Sequence, residues 1–196
     1  MNPSVVLGYH GCSTATADKV LSSRSGVHLK TSRSSSEWLG NGIYFWENSY
    51  DRALLWAKDK CKRSGEKPDV IGAVIIPGEC LDLTDSAYLR ALEKISGSFE
   101  KIYLAEHAKP VPQNNLGRNY HAYDCALINF FRKTMEELNG RHFNTVRAAF
   151  NEGVSIAGSS FSTLNHIQWA VLTPEESIIG YFRPTMYHLT HHGGCD

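Results

Sequence analysis

Short segments with the two-residue alternation of strands are interleaved with segments of helical period along almost the whole chain. That interleaving limits the fold to a mixed α+β architecture. Val5 to Tyr9 reads as a buried strand that ends at the turn Tyr9-His10-Gly11-Cys12, and Ala15 to Ser22 as a short helix with Thr14 as its N-cap. Ser22 to Ser36 is Ser-rich, carries Arg24, Lys30 and Arg33, and lacks any core-forming period, so it is a long loop. The aromatic strand Ile43 to Trp46 is released by Gly40 and Gly42. A helix over Ser49 to Lys60 follows, with Ala53, Trp56 and Ala57 on one face.

Further on, Val70 to Ile76 is a strand closed by Pro77-Gly78, Ser86 to Ile95 a helix, and Lys109 to Tyr120 a loop. Tyr123 to Leu138 is the strongest helix, with Asp124 near its start and Asn139-Gly140 as its stop. Phe143 to Phe150 is a strand, and Asn165 to Leu172 with Ile178 to Phe182 form a closing strand pair around Thr173-Pro174-Glu175-Glu176. No repeat or linker divides the 196 residues. One domain is expected over 1–185, with 186–196 as a flexible tail whose His191-His192 and Cys195 have no structural role.

Composition narrows the function. Hydrophobic residues make up 42% and charged residues 20%, which excludes a largely disordered chain. Twenty basic and twenty acidic side chains cancel, so bulk attraction to nucleic acid is excluded, though a local basic groove is not. Apolar runs such as Val74-Ile75-Ile76 are too short to span a bilayer, and the N-terminus lacks a basic n-region. The expectation is a cytoplasmic protein that does not engage membranes. Five cysteines without paired spacing fit reduced thiols, and no zinc ligand set stands out, so no metal is expected.

Three segments use residue types that structure alone does not call for. In Tyr9-His10-Gly11-Cys12-Ser13 a His at a strand end precedes a Gly that lets the backbone approach a ligand. In Leu39-Gly40-Asn41-Gly42-Ile43-Tyr44-Phe45 two glycines lead into a strand; Ile43 and Phe45 supply its buried face, which leaves Tyr44 facing a cleft. In Asn165-His166-Ile167-Gln168-Trp169-Ala170-Val171 polar and apolar side chains alternate, and His166 shares a face with Gln168. Trp38, Trp46 and Trp56 are read as packing residues, Asp124 as a helix cap, and Arg147 and Glu152 as a surface ion pair.

The first two segments resemble the NAD⁺-binding signature of ADP-ribosyltransferases of the diphtheria-toxin and poly(ADP-ribose) polymerase kind. His10-Gly11-Cys12-Ser13 and Gly42-Ile43-Tyr44-Phe45 stand in the right order, with His10 and Tyr44 34 residues apart, and Ala53 to Ala57 occupies the place of the following helix. The segment His166 to Phe182 resembles the family's closing strands, with Gln168 at the position of the catalytic Glu. The match covers both ends of the chain and little of Val70 to Arg147.

The resemblance implies a split, twisted α+β core with two small sheets flanking a cleft. It implies NAD⁺ as substrate, held by His10, Gly11, Gly42, Tyr44 and Arg52, with Gln168, Tyr44 and His10 as the catalytic set. Gly11 would pair with the nicotinamide amide and His10 with the adenosine ribose, while Tyr44 would stack on the pyridinium. Arg52 stands where the family often has a Ser that bonds the nicotinamide amide, and would instead meet a phosphate. A Gln bonds a ribose hydroxyl but cannot accept a proton, so single transfer is implied and polymer elongation is not. Partners on this reading are a macromolecular acceptor (protein, RNA or DNA) and an antitoxin, in a toxin–antitoxin or phage-defence setting. An NAD glycohydrolase and a catalytically silent NAD⁺- or ADP-ribose-binding module remain open. The related RNA 2′-phosphotransferase reaction lacks its Arg and His set here.

Overall fold

A computed structural model describes residues 5–22, 28–34, 37–115 and 120–185. Arg24 and the expected tail lie outside the described residues. The chain is α+β: among the described residues seven strands form one sheet in the order β4-β5-β6-β2-β1-β3-β7, accompanied by five helices. The strands are β1 (Val6–Ser13), β2 (Ile43–Glu47), β3 (Pro68–Ile75), β4 (Cys80–Asp82), β5 (Thr145–Phe150), β6 (His166–Val171) and β7 (Ile178–Phe182). The helices are α1 (Thr14–Ser22), α2 (Tyr50–Ser64), α3 (Ser86–His107), α4 (Ala122–Asn139) and α5 (Pro174–Ser177). Among the described residues no helix is long and apolar enough to cross a membrane.

One short link shows that the sheet is not flat. Strands lie about 4.8 Å apart, so β3 and β4 would stand roughly 24 Å apart in a flat sheet of this order. Residues 76–79 join them and reach ~17 Å at most. The sheet therefore folds over, and Thr145 Oγ1 at the start of β5 donates to the Pro77 carbonyl at 2.8 Å. The fold line runs between β1 and β2. β1 pairs with β3 over eight positions, from Val6↔Ile75 to Ser13↔Pro68, but with β2 only at Gly8↔Glu47 and Tyr9↔Trp46. The two small sheets expected from the sequence are thus two halves of one sheet, joined by a narrow seam.

Strand alternation distributes the core. On the inner face Ile43, Phe45, Trp169, Val171, Ile71, Ala73 and Ile75 pack together, with Ala17 and Val20 of α1 against them. On the outer face α3 and α4 cover β5, β6 and Tyr44 through Ile128 and Phe131 and their neighbours. There α2 covers the other half, with Ala53 against Trp46 and Val70. Between α2 and α4 the outer face forms a valley floored by β2 and β6.

Several local expectations are corrected. β1 runs through His10-Gly11-Cys12 to Ser13 rather than ending there, because β3 pairs with it throughout. Ser13, not Thr14, offers its hydroxyl to the start of α1, accepting from Thr16 N at 3.4 Å. α3 continues past Gly97 to His107, since Phe99 is wholly buried and packs on Tyr103, Tyr123 and Phe130. β6 and β7 are not a hairpin: β6 lies between β5 and β2, and β7 pairs with β3 at the far edge. Gly140 ends α4 as expected, with φ at 67° in the left-handed region.

Candidate functional site

His10 marks where the two halves part. Just past the Tyr9↔Trp46 pair, its Nδ1 lies 2.7 Å from the Tyr44 carbonyl oxygen and donates to it. The side chain thus replaces the next ladder bond between β1 and β2 and fixes the tautomer. Nε2 is left as an acceptor that makes no hydrogen bond to a described residue. Burial lowers its pKa to about 4, against the weaker opposing effect of the Tyr44 carbonyl, with Lys60 adding to the fall. His10 and Tyr44 are therefore adjacent, on neighbouring strands, as the sequence resemblance implies.

Tyr44 does not face an open cleft. Ile43 through Trp46 are all buried, because α4 and its neighbours cover the outer face as fully as the core covers the inner one. The Tyr44 hydroxyl donates to the Gly40 carbonyl at 2.7 Å and accepts from Leu39 N at 2.9 Å. Only 9% of the residue is exposed. The stacking face assigned to the ring is largely covered.

The two glycines also have structural reasons. A Cβ on Gly11 would lie 2.1 Å from the Ala53 carbonyl oxygen, so Gly11 is what lets α2 rest on β1. Gly42 exchanges both backbone bonds with Ser32, at 2.8 and 3.2 Å, so its amide is already engaged. Asp124 accepts from Asn114 and His121 in the first turn of α4 rather than capping it.

The polar groups of the outer face gather in the valley. Register places Gln168 between Ala148 and Trp46, with His166 next along β6 and opposite Phe150. The Gln168 side chain makes no hydrogen bond to a described residue. Rings line the valley from α4 to α2: His121 and Trp38 at 3.7 Å between centroids, Trp38 and Phe150 at 4.3 Å, Phe150 and His166 at 5.5 Å, His166 and Trp46 at 6.4 Å, Trp46 and Trp56 at 6.0 Å. Arg52 reaches in from the first turn of α2. It is ion-paired to Glu152, and its Cζ lies 5.8 Å from the centre of the Trp46 ring. Glu152 thus pairs with Arg52, while Arg147 pairs with Glu47 and Asp82.

The valley also holds polar groups. His166 Nδ1 donates to the Leu164 carbonyl at 2.7 Å, which leaves Nε2 as the acceptor. Burial lowers the His166 pKa; the Leu164 carbonyl opposes this, Arg52 adds to it, and Glu152 opposes it. Trp46 Nε1 and Arg52 Nε are buried donors without an acceptor, a costly state of about 1–3 kcal/mol each. A shallow pocket of about 550 Å³ is lined by Glu47, Asn48, Ala149, Phe150, Asn151, Asn165, His166 and Ile167.

Of the three tryptophans read from sequence as packing, Trp46 is buried and Trp38 half-buried, whereas Trp56 is 43% exposed. The nearness of Trp46 to His166 depends on β2 and β6 pairing across more than a hundred residues. Among the described residues, no group of three or more His, Cys, Asp or Glu is placed to hold a metal ion. Cys12, Cys61, Cys80 and Cys125 are buried free thiols, with burial raising Cys12 to about 11 and Cys80 to about 12.

The fold and site define a class in structural terms: an α+β protein whose folded sheet carries a His-bridged seam and an aromatic valley beside it. Over 145 residues the chain is 26% identical to an uncharacterised protein, MJ0359, of Methanocaldococcus jannaschii. The matched stretch is 72% of this chain and 63% of the archaeal protein, so the chain spans less than two thirds of that relative. No family model and no solved structure matches.

Proposed function

We propose that the chain binds NAD⁺ at the seam and valley and transfers its ADP-ribose to a macromolecule, as an ADP-ribosyltransferase. The observation that carries the reading is the seam: β1 and β2 part at His10 and Tyr44, the two residues the sequence resemblance singles out. His10 Nε2, an acceptor, would meet a ribose hydroxyl donor of the adenosine half. The valley supplies flat apolar surfaces for the pyridinium, and with Tyr44 mostly covered, His166, Phe150 and Trp38 offer more ring area than Tyr44 does. Gln168, on the valley floor and unengaged, would bond a hydroxyl of the nicotinamide ribose and hold C1 in place.

Cleavage of the nicotinamide–ribose bond passes through an oxocarbenium-like state, as in glycoside hydrolysis. The leaving group is already cationic and departs neutral, so positioning supplies much of the acceleration. A neutral Gln in place of a carboxylate favours a single transfer. The segment that leads into β6 carries exposed Val154, Ile156 and Phe161, at 70%, 52% and 70% exposure, beside Glu152 and His166. Apolar side chains so exposed at the rim fit docking of a macromolecular acceptor rather than water alone. A toxin-type role, with an antitoxin covering the valley, belongs to the same proposal.

Calorimetric titration with NAD⁺ tests the reading. Binding of NAD⁺ that weakens in His10→Ala and Gln168→Ala, with melting temperatures unchanged in Gln168→Ala, supports it. No heat and no thermal stabilisation at millimolar NAD⁺ would refute it, since a native-state ligand must stabilise by mass action.

A further inference from the structure

At one end of the sheet three adjacent strands are each flanked by an asparagine: Asn48 follows β2, Asn151 follows β5 and Asn165 precedes β6. Their side-chain amides make no hydrogen bond to a described residue. All three line the pocket of about 550 Å³ together with Glu47 and His166, and Ala149 with Ile167 gives it an apolar floor. Glu47 Oε2 accepts from Arg147 Nε at 3.1 Å and from Trp169 Nε1 at 2.6 Å, which leaves Oε1. His166 Nδ1 is taken by the Leu164 carbonyl, which leaves Nε2 as an acceptor. Among the described residues the buried polar atoms without a partner are Trp46 Nε1, Arg52 Nε and Arg132 Nε. Glu47 Oε1 and His166 Nε2 also lack a partner and are not in that group, so both reach the surface. From this inventory we infer that the pocket is a sugar site. Ligand hydroxyls donate to Glu47 Oε1 and His166 Nε2 and accept from the asparagine amides, while the C–H face of the ring rests on Ala149 and Ile167.

Donor and acceptor counts separate a sugar from other small groups. Glu47 Oε1 and His166 Nε2 are fixed acceptors, so the ligand must donate, whereas the three carboxamides both donate and accept. A carboxylate or phosphate only accepts, and sets its charge against Glu47. An ammonium or guanidinium only donates, which leaves the three amide donors without an acceptor. A hydroxyl does both through one atom and turns to suit each partner. Glu47 is already ion-paired to Arg147, so the wall calls for hydrogen bonds rather than for a counter-ion. A nucleobase gains most from a ring to stack on, but the two rings of the wall, Phe150 and His166, are stacked on each other with centres 5.5 Å apart. The volume is that of an ordinary small-molecule site. The sugar has two sources: a ribose of NAD⁺, which deepens the reading above, or a ring carried by a second ligand.

The test is an NMR titration of the intact chain with methyl β-ribofuranoside, cytosine and agmatine as probes. The buried Trp169 indole N–H, bonded to Glu47 Oε2, reports on Glu47. The riboside is expected to shift this signal together with the side-chain amides of Asn151 and Asn165. Cytosine and agmatine at the same concentration should leave Trp169 in place. Asn151 and Asn165 are exposed, so replacing both by Ala should leave the melting temperature unchanged. The double variant should bind the riboside about fivefold or more weakly, through loss of two hydrogen bonds. No riboside shift at Trp169, a larger shift from cytosine or agmatine, or equal affinity in the double variant overturns the sugar site. Excess NAD⁺ then identifies the source. Displacement of the riboside means that a ribose of NAD⁺ fills the pocket, and a riboside bound alongside NAD⁺ means that a second ligand does; both results keep the site. A chain that binds the riboside but never NAD⁺ keeps the site and removes the NAD⁺ reading, so the two fail separately.

Discussion

His10 makes folding stability depend on pH in a direction that can be worked out. Its native pKa is lowered from 6.5 to about 4, first by burial. A depressed histidine is neutral in the native state and protonates more readily when unfolded. The unfolded chain therefore binds more protons between the two values, and stability falls as pH drops below 6.5. Integrating over that window, the loss on going from pH 7 to pH 5 is ~2 kcal/mol, and to pH 4 ~3 kcal/mol. Replacing His10 by Gln removes this contribution while keeping a side-chain donor for the Tyr44 carbonyl. Urea unfolding of both proteins at pH 7 and pH 5 isolates it, because every other titrating group is shared. The wild type should lose about 2 kcal/mol more than His10→Gln over that interval. Equal losses in the two proteins would mean that His10 is solvated and that the seam is not closed as described.

Tyr44→Phe should cost about 1–3 kcal/mol, because Leu39 N and the Gly40 carbonyl lose a buried partner, and Tyr44→Ala about 3–5 kcal/mol by chemical denaturation; a near-neutral Tyr44→Ala would mean the ring is free to face a ligand after all. Gly11→Ala places a Cβ 2.1 Å from the Ala53 carbonyl, and a loss below about 1 kcal/mol in a thermal melt would contradict the close docking of α2. Gln168→Ala should leave the melting temperature within about 1 °C of wild type, as for a surface substitution, while cutting NAD⁺ turnover. Gln168→Glu should raise NAD⁺ hydrolysis, and equal turnover in all three proteins would remove Gln168 from the site.

Local chemistry in the sequence carried most of the elements, and the family resemblance carried the adjacency of His10 with Tyr44. The strands over β2, β3 and β6 are apolar and well punctuated, and Gly140 stops α4 where a left-handed residue is needed. What local pattern could not carry was pairing across long separations. Nothing near Thr173 distinguishes a hairpin from a crossover, yet β7 crosses to β3 because the sheet folds at the seam. β4 has three residues, too few for a periodicity. The covering of Tyr44 comes from α4, some eighty residues downstream, so alternation within β2 alone left it facing outward. The same holds for Trp46, whose unpaired Nε1 and nearness to His166 appear only once β2 and β6 lie side by side.

The central claim, transfer of ADP-ribose from NAD⁺, is tested most directly with NAD⁺ labelled in its adenylate phosphate, incubated with the protein and a cell extract. The account predicts nicotinamide release matched by label on a macromolecule, in an amount that falls sharply with Gln168→Ala. Free ADP-ribose as the sole labelled product would make the chain a glycohydrolase and contradict the transfer. Intact NAD⁺ at the end of the incubation would contradict the catalytic account altogether.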